Sequence, residues 1–110
     1  MYTNVRRNLR QKYPKNKGWE IYGKDRWEGY EPDFVVERRR RGRIERIVVE
    51  AKLTDQVTEN DISQLNSYVR NLAGGNTKIV DKVLAVPAGA DTSIVPDDMT
   101  KMFLKTFKKK

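Results

Sequence analysis

Neither cysteine nor histidine occurs anywhere in the 110 residues. Without cysteine there is no disulfide and no thiolate metal site, a composition compatible with a reducing cytoplasm. The lack of histidine removes imidazole general bases, zinc sites of the His/Cys type and every nuclease chemistry that relies on a histidine. Any catalysis must therefore run on carboxylates, lysine, tyrosine or serine, with a hard metal ion as the expected helper. Long apolar runs are missing too. No stretch approaches the ~20 residues that span a bilayer, and the N-terminus shows no signal-peptide core. A soluble, intracellular protein with no membrane partner is the expectation.

Positive charge is what the sequence has in excess. With 23 Lys and Arg against 15 Asp and Glu, the formal net charge is +8, which favours a polyanionic partner such as DNA. A solvated basic surface with no such partner is the plainer alternative. With 37% hydrophobic residues, the chain suits one compact domain over residues 1–110 with a modest core.

Residues 2–13, "YTNVRRNLRQKY", place Tyr2, Val5, Leu9 and Tyr13 near one helical face, and Pro14 and Gly18 end the helix. "WEIYG" at 19–23 alternates weakly as a first strand, followed by the polar aromatic stretch "KDRWEGYEP", which reads as a second short strand or a loop. Residues 33–38 and 44–52 are rich in Val and Ile and flank a turn containing Gly42, which predicts two strands. A helix is predicted from Thr58 to Leu72. Thr58 and Asp61 have capping-box spacing, Ile62, Leu65, Val69 and Leu72 form a stripe, and Gly74 and Gly75 supply the stop. "IVDKVLAVPA" at 79–88 reads as a buried strand. Met99, Met102, Phe103, Thr106 and Phe107 then have helical spacing, with acids before them and lysines after. The fold class predicted is α/β, a mixed sheet with helices packed on it, in the order helix, three strands, helix, strand, plus a C-terminal helix.

If the two central strands form a hairpin about Arg41 and Gly42, opposed residue numbers sum to 83. Glu37 then meets Arg46, Arg38 meets Glu45, and Phe34, Val35 and Val36 meet Val49, Val48 and Ile47, so the cross-strand chemistry agrees at almost every position. The same register sets Asp33 opposite Glu50, on one face and with Lys52 two residues on. Two converging carboxylates repel unless a cation sits between them. All-oxygen ligation suits Mg²⁺ or Mn²⁺ completed by water and phosphate, with the Lys52 ammonium placed to act on a metal-bound water or on transition-state charge. Taken singly, each motif also fits the solvated side of an edge strand.

The pair "PD" at Pro32 and Asp33, followed by "EAK" at Glu50, Ala51 and Lys52 on the next strand, resembles the PD-(D/E)XK nuclease superfamily, restriction-endonuclease-like in fold. The resemblance runs from the first helix through the strand ending near Pro87. It implies that Asp33 and Glu50 hold the metal, that the Ala51 carbonyl joins them, and that Lys52 acts on the attacking water. "QLNSY" sets Gln64 and Tyr68 four apart on one helical surface. This resembles the Q-x-x-x-Y signature of branches that include helicase-associated exonucleases and type I restriction subunits, where the pair lies beside the active site. Alternatively, Tyr68 is core and Gln64 solvated. Many family members also carry an acidic residue in the first helix, and this helix has none. Glu20 is the substitute metal ligand expected here, with Glu31 and Glu28 behind it. The second "PD", at Pro96 and Asp97, is predicted to precede a helix and has no acidic-x-Lys strand after it.

Arg6, Arg7 and Arg10 on the first helix and Arg39, Arg40, Arg41 and Arg43 at the hairpin tip are candidate phosphate contacts. The tip arginines also fit a simple role in keeping a strand edge solvated. The reading that follows is a Mg²⁺-dependent DNA endonuclease or exonuclease. Its size is similar to that of archaeal Holliday-junction resolvases, whose dimeric action implies a homodimer here. The alternatives are a nucleic-acid-binding module that does not cleave, and a nuclease domain that depends on a separate helicase or specificity subunit.

Overall fold

A computed structural model describes residues 2–23 and 32–104 of the chain. It is a mixed α/β fold with a five-stranded sheet, ordered β1(Glu20–Gly23), β2(Phe34–Arg40), β3(Arg43–Ala51), β4(Thr77–Pro87) and β5(Thr100–Leu104) from edge to edge. β1, β2 and β3 pair antiparallel, whereas β3, β4 and β5 run parallel. Helices α1(Tyr2–Lys12) and α2(Glu59–Leu72) cover opposite faces. No described helix is long and apolar enough to cross a membrane.

Strand alternation sends side chains to two separate cores. Phe34, Val36, Ile47, Val49, Val83 and Ala85 meet Val5, Leu9 and Tyr13 at α1. Val48, Leu84 and Val86 meet Leu65 and Tyr68 of α2 on the other side. The continuous apolar run at 83–86 follows from this arrangement, because β4 is buried on both faces.

The central hairpin has the register derived from its chemistry, from Phe34 opposite Val49 to Arg40 opposite Arg43. Its two-residue turn holds Arg41 at φ 53° and Gly42 at φ 79°. Both angles are left-handed, as the twist of a tight hairpin requires. The two ion pairs form, with Arg38 Nε 2.7 Å from Glu45 Oε1 and Arg46 Nη2 2.6 Å from Glu37 Oε2. Arg46 Nη1 also donates to the Leu72 carbonyl at 2.7 Å, placing a cation at the C-terminal end of α2.

α2 begins as its sequence predicts. Thr58 Oγ1 accepts from the Asp61 N–H and Asp61 Oδ2 accepts from the Thr58 N–H, closing both halves of the capping box.

The predicted C-terminal helix is a strand over its described part. Thr100, Met102 and Leu104 turn inward while Lys101 and Phe103 turn outward, a period of two that the same residues satisfy as well as the helical spacing. β5 pairs with β4 from Val83 to Pro87, where an unpaired buried edge would leave backbone groups without partners. Pro96 and Asp97 accordingly lie in the turn before a strand, not before a helix. Thr106, Phe107, Glu28 and Glu31 fall outside the described residues, as does the short strand or loop read over 24–31.

Candidate active site

Asp33 immediately precedes β2 and Glu50 is the penultimate residue of β3, so the hairpin brings both to one end of the sheet. Each is only 6% exposed. Each also binds a backbone N–H of the other strand end: Asp33 Oδ2 accepts from Ala51 N at 2.8 Å, and Glu50 Oε1 from Asp33 N at 3.1 Å. These two hydrogen bonds continue the strand pairing past its last backbone partners and hold the carboxylates together.

Lys52 follows on the same face. Its N–H bonds the Ala85 carbonyl at 2.9 Å, fixing the residue against β4. The ammonium donates to Gln64 Oε1 at 2.9 Å and lies 3.7 Å from Glu50 Oε2 and 3.5 Å from Asp61 Oδ1. Its position is thus set by β3 and by two residues of the first half of α2. The segment before α2 is tied down in turn, since Val57 N donates to the Asp91 carbonyl and Asp91 N to the Asp55 carbonyl.

Burial of the pair has an electrostatic consequence. Desolvation, and then the neighbouring Asp33 charge, push the Glu50 carboxyl up to about 7 from 4.5, against the opposing pull of the Asp33 N–H and the Lys52 ammonium. Between pH 4.5 and about 7 the native state keeps a proton that the unfolded chain has released. Stability therefore falls as pH rises through that window and levels off above it. Denaturant melts from pH 5 to 8 should show this fall in the wild type and a flatter profile in Glu50→Gln. An equal slope in both proteins would place the titrating group elsewhere.

The residues singled out in the sequence separate into two groups. Asp33, Glu50, Ala51, Lys52 and Gln64 converge at the end of β3. Tyr68 is buried one turn below Gln64, in the core with Val48, Leu84 and Val86. Glu20 is not brought to the carboxylate pair. It is exposed and partners Glu37, four residues along β2 from Asp33, a separation of roughly 13 Å at about 3.3 Å per residue.

Sequence reasoning missed Asp61. Its capping role was legible, but one carboxylate can serve two donors: Oδ2 caps the helix while Oδ1 faces Lys52, with the residue 9% exposed. The signal available was spacing, since a capping acid at the third helical position of α2 lies one turn from Gln64.

The candidate phosphate contacts also divide. Arg39, Arg40, Arg41 and Arg43 are exposed at the far end of the hairpin, Arg40 being seven residues from Asp33, or roughly 23 Å. On α1, Arg6 Nη1 reaches the Ile21 carbonyl at 3.5 Å and its guanidinium lies 5.3 Å from the centre of the Phe34 ring. Arg10 Nη1 donates to the Trp19 carbonyl at 3.1 Å, so both arginines fasten the helix to the region of β1. Arg7 donates to Asn4 Oδ1 within the helix.

The donor chemistry at the pair suits a hard divalent cation: two buried carboxylates side by side, with burial and then the Asp33 charge pushing the Glu50 carboxyl up. Among the described residues no group of three or more Asp, Glu, His or Cys side chains is arranged to hold a metal. Water and a phosphate oxygen would complete such a ligand set, as Mg²⁺ commonly requires. No family model, no curated protein and no solved structure matches this chain.

Proposed function

We propose that the chain is a Mg²⁺- or Mn²⁺-dependent DNA nuclease with a restriction-endonuclease-like core. The observation that carries this reading is the convergence of Asp33 and Glu50 beside Lys52, with Lys52 Nζ 3.7 Å from Glu50 Oε2. Asp33, Glu50 and the Ala51 carbonyl are the groups that would hold the cation, which when bound supplies Lewis-acid polarisation of the phosphate and an acidified water. Lys52 points a donor at the same place. Its ammonium already donates to Gln64 Oε1, and that polarity suits a hydrogen bond to an oxyanion that gains charge during phosphodiester cleavage. Gln64 and Asp61 hold the ammonium in position, so its ordering is complete before substrate arrives.

Cation binding would favour the ionised form of Glu50. Apparent Mg²⁺ affinity should therefore rise between pH 6 and 8, with proton release detected by calorimetry in buffers of different ionisation enthalpy.

One observation favours a second reading, a nucleic-acid-binding module that does not cleave. Asp33 and Glu50 each satisfy a backbone N–H, a structural duty sufficient to place them where they are. Incubation with plasmid, single-stranded and four-way-junction DNA in Mg²⁺, Mn²⁺ or EDTA separates the two. Cation-dependent cleavage of any substrate supports the nuclease, and binding without cleavage in every condition supports the module.

The tip arginines bear on affinity under either reading. Replacing Arg39, Arg40, Arg41 and Arg43 together by Ser should weaken binding to DNA of any sequence and reduce the log–log salt slope by about 0.9 per lost duplex contact. Arg38 and Arg46 stay in place because their ion pairs stitch the hairpin. A slope equal to that of the wild type would leave the tip with only a solubilising role.

A further inference from the structure

Away from the carboxylates, α1 and β5 border an open groove of about 390 Å³. Lys12, Lys101, Asn8, Gln11 and Phe103 are among its lining residues, none of which is acidic. Phe103 is 47% exposed and is the one aromatic among the exposed large hydrophobic residues in the described part of the chain. Packing does not call for it. Its neighbours Met102 and Leu104 fill the α1-side core, while Phe103 alternates outward beside Lys101.

Strand register relates this edge to the candidate active site. Glu50 partners Leu84 and Leu84 partners Lys101, so Lys101 stands in the same row of the sheet as the carboxylate. Two strand spacings of about 4.8 Å put their Cα atoms roughly 10 Å apart, with Leu84, fully buried in the α2-side core, between them.

We propose that this groove at the β5 edge binds single-stranded nucleic acid. Phe103 offers a face on which a base stacks, Lys12 and Lys101 neutralise phosphates, and the amides of Asn8 and Gln11 hydrogen-bond to sugar or base. An exposed ring flanked by cations holds a single strand without reading its sequence, because every base has a π-face. A duplex keeps its bases stacked inside and can use only the lysines. The binding does not depend on the nuclease reading.

Fluorescence anisotropy in EDTA, with a labelled single strand and a labelled hairpin duplex, tests the binding apart from any cleavage. Phe103→Ser and the gentler Phe103→Leu should each weaken single-strand binding about tenfold and leave duplex binding within about twofold. The Lys12→Ser, Lys101→Ser double variant should lower the single-strand salt slope by about 1.4, at about 0.7 per phosphate. Phe103→Trp should add an emission that the single strand quenches. Unchanged single-strand affinity in both Phe103 variants overturns the proposal. So does an equal loss on duplex and single strand, which would leave a phosphate contact without stacking. A change in self-association with no change in DNA affinity would instead make the β5 edge a contact between copies. Because the readout needs no metal, a wild type that binds but never cleaves would sink the nuclease reading and leave this one standing.

Discussion

Asp33→Asn and Glu50→Gln are each expected to lower Mg²⁺-dependent cleavage by at least about a hundredfold while the protein stays folded. The size follows from removing one charge from a small electrostatic site, where a single group commonly contributes about 10²–10³ in rate. Folding should survive because the amides keep a carbonyl oxygen that can accept from the Ala51 or Asp33 N–H, as the carboxylates do now. For Glu50→Gln, stability at pH 8 should rise, since the substitution removes a charge that burial and Asp33 both disfavour. Loss of activity together with a gain in melting temperature is a pattern that simple misfolding does not produce. DNA affinity in EDTA should hold or strengthen as negative charge near the phosphate is lost. Wild-type turnover in either variant would remove the pair from the chemistry.

Lys52→Ala should cost turnover on a similar scale, about 10²–10³, with little change in Mg²⁺ affinity, because the proposed mechanism has its ammonium act on the reacting oxygens and not as a ligand. Asp61→Asn should produce a smaller loss, mainly in kcat. The amide oxygen can still accept from the Thr58 N–H, while the charge facing Lys52 at 3.5 Å is gone. Metal affinity that collapses in Lys52→Ala would make the lysine a structural organiser of the pair. A rate unchanged in Lys52→Ala would take it out of the mechanism altogether.

Local chemistry made the centre of the protein legible. The hairpin register could be read from opposed pairs such as Glu37 with Arg46, because each partner lies within a few residues of the turn at Arg41 and Gly42. The α2 start could be read for the same reason, its two capping bonds both spanning three residues. From that register alone, Asp33 had to face Glu50, and Lys52 had to follow on the same side.

The remaining features depended on partners distant in sequence. Residues 99–104 carry both a helical and an alternating spacing, and the open edge of β4 at Val83–Pro87 made Thr100–Leu104 a strand. Glu20 was a plausible ligand on composition, yet pairing with Glu37 carried it along the sheet away from Asp33. Asp61 was visible only as a cap until α2 was laid against β3 and Lys52 came within reach of its second oxygen. Burial of Glu50 beside Asp33 likewise needed both layers in place, since desolvation is a property of the packed site and no single strand carries it. The sequence by itself thus determined which residues could meet across one turn. The tertiary structure decided which charges were buried, which edge was covered and which helix end held the lysine, because burial and long-range pairing are set by elements that the intervening chain does not constrain.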